Sequence, residues 1–456
     1  MTERIGIWIA TVSPHGLHPL WQRFRASPLS VRLARGVFWS LVGAVISRGL
    51  GVLSAIIVAR LVGITAFGEF TIIQSTVGLF GTFAGLGLGI TATKYVAELR
   101  ETDRVRCGRI IGLILLAAAL GGLVAGAGLV LFASWLATHT LAEPGLAPLL
   151  RSGSALVLFS TLQGVYSGAL GGFENFKRVA QVNWLGGILG APLLMGFTFF
   201  GGLPGAVWGL VLQNALGCAI GHRALLLEAA KAGVKLSYAP QPGDWRILWH
   251  FSLPAFLSSA LAGPANWICN TFLANQDHGY VEVALLNAAG QWKNFLTFLP
   301  LMMTSVLVPI FANLYHAGKV AEMRKMLRRN LAINVGICLV LAAPLAIFAP
   351  VILNWYGPGF KQGVPVLWLT LGTTVLSAAT SLLSRAMQAS GQAWVECVCS
   401  GFWAAILVAG CFLLVPAYKA AGLAGIHVLA MLAVLGLQWF LFRRIVSQVT
   451  TAPPTV

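Results

Sequence analysis

Charge is scarce in this sequence. Only 9% of its 456 residues are charged, and acids are scarcer still, 13 against 30 basic residues. A soluble protein is nearer 25% charged, and no polar block here is long enough to fold as a separate soluble domain. Seven cysteines (Cys107, Cys218, Cys269, Cys338, Cys397, Cys399 and Cys411) lie in apolar runs or at their basic ends, which excludes a disulfide framework and reads as packing. Cys397 and Cys399, two apart on a helix, face different ways and make no metal pair. The eight histidines are scattered, with only His427 embedded in an apolar run. No GxxxxGK[ST] phosphate loop is present, so nothing marks an ATPase. No cofactor is expected. The N-terminus has only the brief apolar stretch "IGIWIA" before a proline, too little for a cleaved signal peptide.

What is present is hydrophobic length, with 57% apolar residues and 52 glycines. A membrane crossing needs about 20 apolar residues. That window places spans near 37–58, 68–91, 110–134, 153–172, 181–200, 205–227, 252–274, 282–307, 331–353, 364–386, 395–415 and 421–442. The expected fold is all-α and integral to the membrane, about twelve transmembrane helices in two six-helix bundles around a central cavity. With both termini cytoplasmic, 24 of the 30 basic residues fall on the inner side and four on the outer. Such asymmetry fixes orientation. The net charge of +17 is therefore a topology signal directed at anionic inner-leaflet lipid, and no nucleic-acid partner is expected. The chain divides into a cytoplasmic tail at 1–35, bundles at 36–227 and 251–444 joined by a linker at 228–250, and a tail at 445–456. Faint echoes, "FWSLVGAVIS" with "HFSLPAFLSS" and "LPGAVWG" with "AGLAGIH", point to a duplicated half. The "GLGLG" at 85–89 has no strand–helix context and reads as a packing face.

Two cations lie inside spans. Arg48 is 11 residues into the first, about 16 Å deep at ~1.5 Å per residue and near the midplane of a ~30 Å core. Lys293, in "LLNAAGQWKNFLTF", is similarly deep. A charge there costs at least ~2.5–3.5 kcal/mol and faces a wet cavity or a partner. Glu69, Glu282 and Glu396 sit near span ends, and no span carries an acid at mid-depth. A buried ion pair is the plainer reading; a hydrated cavity is the one the missing acids favour. Polar stripes run alongside, with Asn287, Gln291 and Asn294 in the eighth span, Ser259, Asn266 and Asn270 in the seventh, and Ser40, Ser47 and Ser54 in the first. Such stripes also serve to glue helices together. A chamber with fixed positive and no fixed negative charge suits phosphate, gripped by an Arg fork and a mobile Lys. Trp267 and Trp292 could attend sugars there. The candidate substrate-binding residues are Arg48, Lys293, Asn287, Gln291, Asn294, Asn266, Asn270, Ser47 and Arg60.

"ARLVGITAFGEF" (59–70), "GLGLGITATKYVAEL" (85–99), "SLPAFLSS" (252–259), "LVPIFANLY" (307–315), "LNWYGPGF" (353–360) and "RAMQASGQ" (385–392) resemble the polysaccharide transporters. These are the Wzx-type oligosaccharide flippases of the multidrug/oligosaccharidyl-lipid/polysaccharide (MOP) exporter superfamily. The resemblance spans about 36–442. It implies a non-enzymatic, multi-pass protein of the bacterial inner membrane, two bundles forming a V, and alternating-access flipping of polyprenyl-diphosphate-linked oligosaccharide. It also implies cavity-lining basic residues, a role open to Arg48 and Lys293, with a polysaccharide polymerase and glycosyltransferases as candidate partners. Ile64-Thr65-Ala66 departs from the family, which often has a proline and an acid there. Two alternatives stand beside this reading. A MATE-like multidrug exporter would need membrane-embedded carboxylates. A membrane polysaccharide polymerase or ligase would need a sizeable external loop, and the longest here is 135–152.

Overall fold

Apolar segments in lipid must satisfy every backbone polar group internally, which leaves the helix as the available form for such runs. The computed structural model describes residues 28–451 apart from 240, 242, 254, 255, 257–259, 318 and 390–392. Every regular element among them is helical. The first half of the chain contributes α1 (Pro28–Val62), α2 (Ile64–Gly85), α3 (Leu88–Leu99), α4 (Arg104–Trp135), α5 (Ala147–Gly153), α6 (Ala155–Gly172) and α7 (Phe176–Lys231). The second contributes α8 (Ala262–Ala274), α9 (Gly279–His316), α10 (Val320–Ile347), α11 (Ala349–Asn354), α12 (Val364–Ala389) and α13 (Ala393–Thr451). Residues 1–27 of the N-terminal tail, Pro254, Ser259 and residues 452–456 lie outside the described residues.

Among the described residues six helical stretches are long and apolar enough to cross a membrane, or eight if two bent pairs each count as one. The difference from twelve has local causes. The second expected span is broken: Leu86 and Gly87 are left-handed (φ 41° and 69°), and α2 and α3 meet at a 41° bend. The "GLGLG" segment is thus a helix break as well as a contact. Its Gly89 does pack face to face with α6, where a Cβ would meet the carbonyl of Gly164. The fourth expected span, 153–172, coincides with α6, which meets the Pro144–Gly153 stretch before it at a 40° bend. α9 runs for 38 residues, with Asn287, Gln291, Lys293 and Asn294 in its first half. α7, at 56 residues, would run ~84 Å if straight, far more than a ~30 Å core.

α7 instead folds back at Gly202 (φ 56°, ψ −135°), two residues before Pro204. Its arms touch closely, since a Cβ on Gly205 would strike the carbonyl of Phe197. α13 does the same at Lys419 (φ 49°, ψ −129°), after Pro416, and there Gly422 faces the carbonyl of Leu414. The corners share dihedrals, and Gly205–Phe197 and Gly422–Leu414 stand at the same offset from them.

The two halves of the chain meet where α1 and α2 pack on α8 and α9. Gly68 lets α2 approach so closely that a Cβ would overlap the Tyr280 carbonyl of α9. The Tyr280 hydroxyl donates to Leu141 O (2.7 Å) and Asn275 Nδ2 to Thr140 O (2.7 Å). Phe67 packs on Tyr356 and Phe360, with ring centroids 6.4 and 6.0 Å away, and all three are buried. Two of the sequence motifs, "ARLVGITAFGEF" and "LNWYGPGF", thereby meet in one buried cluster.

Candidate functional site

Glycines on α7 open a cavity by giving amides on facing helices somewhere to lie. A Cβ at Gly190 would run into the Gln213 side chain of the other arm, and one at Gly217 would come 2.8 Å from Gln163 Nε2. The resulting cavity has a volume of about 380 Å³ and is bounded by α1, α2, α6, both arms of α7 and α9. Its polar wall consists of Gln74, Gln163, Asn183, Gln213, Asn214, Asn287 and Gln291, with Ser47, Ser54 and Ser167. Among the described residues no charged side chain lines it. Some amides are fixed. Gln291 donates to Asn287 Oδ1 (3.0 Å), Asn287 to Thr71 Oγ1 (2.5 Å), and Gln163 to Asn214 O (2.8 Å). Gln74, Asn183 and Gln213 have no side-chain hydrogen bond to any described residue, and Gln213 Oε1 is buried without a partner.

Of the residues singled out by sequence, Ser47, Asn287 and Gln291 line this cavity. Arg48, Lys293, Asn294, Asn266, Asn270 and Arg60 are not among its lining residues. Arg48 lies at the seam between the halves, donating from Nη1 to the backbone carbonyl of Asn294 (2.5 Å) with its guanidinium over Phe298, 4.7 Å from the ring centroid. Among the described residues no carboxylate pairs with Arg48 or Lys293. Asn266 bonds the Ala262 carbonyl of its own helix (2.7 Å), and Arg60 is exposed beside Gly357. Trp267 is committed elsewhere, its indole N–H donating to Thr76 Oγ1 across the seam (3.0 Å).

Sequence reasoning missed Gln74, Gln163, Asn183, Gln213 and Asn214. The available signal was a glycine opposite each amide, Gly190 for Gln213 and Gly217 for Gln163, which no helix-by-helix stripe reveals. It also missed a second cavity of about 340 Å³ between α8, α9, α12 and α13. Hydroxyls line it (Ser377, Thr380, Ser381, Ser384, Ser400), together with Glu396, whose Oε2 is buried and unpartnered. Beyond the sixth apolar run, Glu228 accepts from Arg178 (2.9 Å), Asn175 (2.8 Å) and Lys231 (2.9 Å). Burial pushes its carboxyl up, but bonds from Lys231, Arg178 and Asn175 outweigh that and hold it below the ordinary carboxylate value.

The polysaccharide biosynthesis protein family matches residues 33–315. An EPS I polysaccharide export inner membrane protein, EpsE of Ralstonia solanacearum, is 24% identical over 401 residues, covering 85% of this chain and 88% of its own. Among solved structures, an inward-facing multidrug resistance MATE family transporter of the MOP superfamily superposes with a TM-score of 0.75 at 16% identity, over 91% of this chain and 100% of that one. The lipid II flippase MurJ, in an inward closed conformation, gives 0.71 at 13% identity over 90% and 89%. At such identities the structures establish the architecture alone. With well over half its length matched by the family and the helices arranged as in MOP transporters, this chain belongs to the polysaccharide biosynthesis protein family.

Proposed function

We propose that this protein is a non-enzymatic flippase of the bacterial inner membrane. It carries polyprenyl-diphosphate-linked oligosaccharide repeat units, precursors of O-antigen or exopolysaccharide, from the inner to the outer leaflet by alternating access. The chain crosses the membrane twelve times, six in each half (36–227 and 251–444), with both termini cytoplasmic. α7 and α13 each supply two crossings around Gly202 and Lys419. In that topology the Gly68–Tyr280 crossing and the Phe67–Tyr356–Phe360 cluster lie at the outer end, and the conformation is sealed there.

The observation that carries the reading is Arg48. It is a permanent cation at the seam between the halves, next in sequence to a cavity residue, and among the described residues it meets a carbonyl and an aromatic ring but no carboxylate. It is placed to take a phosphate oxygen through its planar fork. Lys293, on the helix that crosses it, adds a second positive charge, and the polyprenyl chain stays in lipid. The EpsE relatives, named for polysaccharide export at the inner membrane, support this substrate class. Deleting the gene tests it: lipid-linked repeat units should accumulate on the cytoplasmic leaflet, and their normal delivery to the outer leaflet would refute the assignment.

One observation favours a second reading, cation-coupled multidrug export. Glu396 is a carboxylate facing an interior cavity, a feature the charge-poor sequence does not advertise. Drug-susceptibility profiling of the deletion strain separates the two.

A further inference from the structure

Among the described residues nothing charged faces the cavity between α1, α2, α6, α7 and α9, so it has no use for a phosphate. We propose that it is a saccharide subsite that admits an uncharged sugar unit and excludes an acidic one, with Gln74, Asn183 and Gln213 deciding the fit. The inference rests on the flippase reading and specifies which part of the substrate enters which part of the protein.

The chemistry of the wall points to hydroxyls. A carboxamide presents two donors and an acceptor, so it can answer either role of a sugar hydroxyl without a proton changing hands. Seven of them converge here from α2, α6, α7 and α9. Four are tied into the scaffold: Gln163 to Asn214 O, Gln291 to Asn287 to Thr71, and Asn214 to the Leu210 carbonyl (2.9 Å). The other three, Gln74, Asn183 and Gln213, have no described partner, and Gln213 Oε1 is sealed from water as well. A buried acceptor left unmet is costly, and a ligand hydroxyl relieves that cost. An acidic sugar would bring a carboxylate into a wall with no cation to receive it, so the same cavity rejects it.

Size and position agree. At about 380 Å³ the space falls within the ~300–1,000 Å³ of small-molecule sites, which suits a saccharide unit and is too small for a polyprenyl tail. Ser47 lines the cavity while Arg48, the next residue, reaches Asn294. Gln291 lines it while Asn294 lies one turn along α9, ~4.5 Å by helical rise. A sugar in the cavity with its phosphate toward the α1–α9 seam therefore brings that phosphate to Arg48. The division of labour follows: the cation holds what every lipid-linked unit shares, and the amides read what differs.

Full-length protein in lipid nanodiscs provides the test, with three probes: undecaprenyl diphosphate bare, carrying one glucose, and carrying one glucuronic acid. Dissociation constants are read for each. The wild type should bind the glucose probe at least about tenfold more tightly than the bare lipid, as expected for hydrogen bonds added at a wall that includes the buried Gln213 Oε1. The glucuronate probe should gain nothing. Asn183→Leu and Gln213→Leu should each erode the glucose advantage and leave affinity for the bare lipid unchanged. Gln213→Lys should transfer the advantage to glucuronate, an outcome that misfolding cannot mimic. A glucose advantage that survives both leucine variants, no glucose advantage in the wild type, or a wild-type preference for glucuronate would each overturn the subsite. Failure of all three probes to bind the wild type would instead strike the flippase reading itself.

Discussion

Gly68→Ala adds a single methyl group, and the structure says where it goes: into the Tyr280 carbonyl at the crossing of α2 and α9. Neither element can yield easily. α2 is pinned by Phe67 between the rings of Tyr356 and Phe360, and α9 by the bond from Tyr280 to Leu141 O. Overpacking of this kind costs about 1–3 kcal/mol. In the proposed alternating access the cost falls on the state in which α2 and α9 touch and vanishes when they part, so the sealed conformation should lose roughly 5- to 150-fold in population relative to the open one. Spin labels on cysteines placed at Thr65 and Gln362, exposed positions on opposite sides of that end, would report the change as a longer distance population. Gly78→Ala is the control, since its Cβ would meet open space. If Gly68→Ala keeps the wild-type distance distribution and thermal stability, the crossing is not a seal and the reasoning fails.

Three further outcomes are expected. Arg48→Ala should slow flipping in proteoliposomes tenfold or more, because a charge-assisted contact of ~1.5–3 kcal/mol is lost. Arg48→Lys should restore part of the rate as a point charge without the fork, and full activity in both would remove Arg48 from the site. Glu228 is held below its ordinary value, so its stabilisation is fully present above about pH 4.3 and is lost as pH falls through the depressed folded value. Glu228→Gln should lower stability by ~1–3 kcal/mol near neutrality and abolish that acid-side component, as read by melting temperature against pH. Lys419→Gly should stabilise the protein by ~0.4–1 kcal/mol or more, since a side chain at φ 49° and ψ −129° is strained; an unchanged melting temperature would contradict this.

The apolar runs were legible because lipid imposes them: α4 and α12 stand close to where twenty-residue windows put them, while α10 begins 11 residues ahead of its window. The meeting of Phe67 with Tyr356 and Phe360 was foreshadowed only as two separate motifs, since nothing local tells one segment that it packs on another three hundred residues away. The search for charge led to Arg48 but not to its partner, because a backbone carbonyl such as that of Asn294 leaves no mark in a sequence. The amides escaped for a related reason. No single helix face gathers them, and their convergence depends on α7 doubling back at Gly202, which brings Asn183 and Gln213 to one wall. Helix breaks were partly hidden too. Gly87 and Gly202 fit positive φ, whereas Leu86 and Lys419 take it without the residue type that would announce it.

The twin corners at Gly202 and Lys419 set the same bend on two different residues. Glycine enters φ 56°, ψ −135° with no Cβ to clash, whereas lysine at φ 49°, ψ −129° holds the same turn at a cost. Two elbows of one shape are thus unequal joints, and a substitution that relaxes the second has no counterpart at the first.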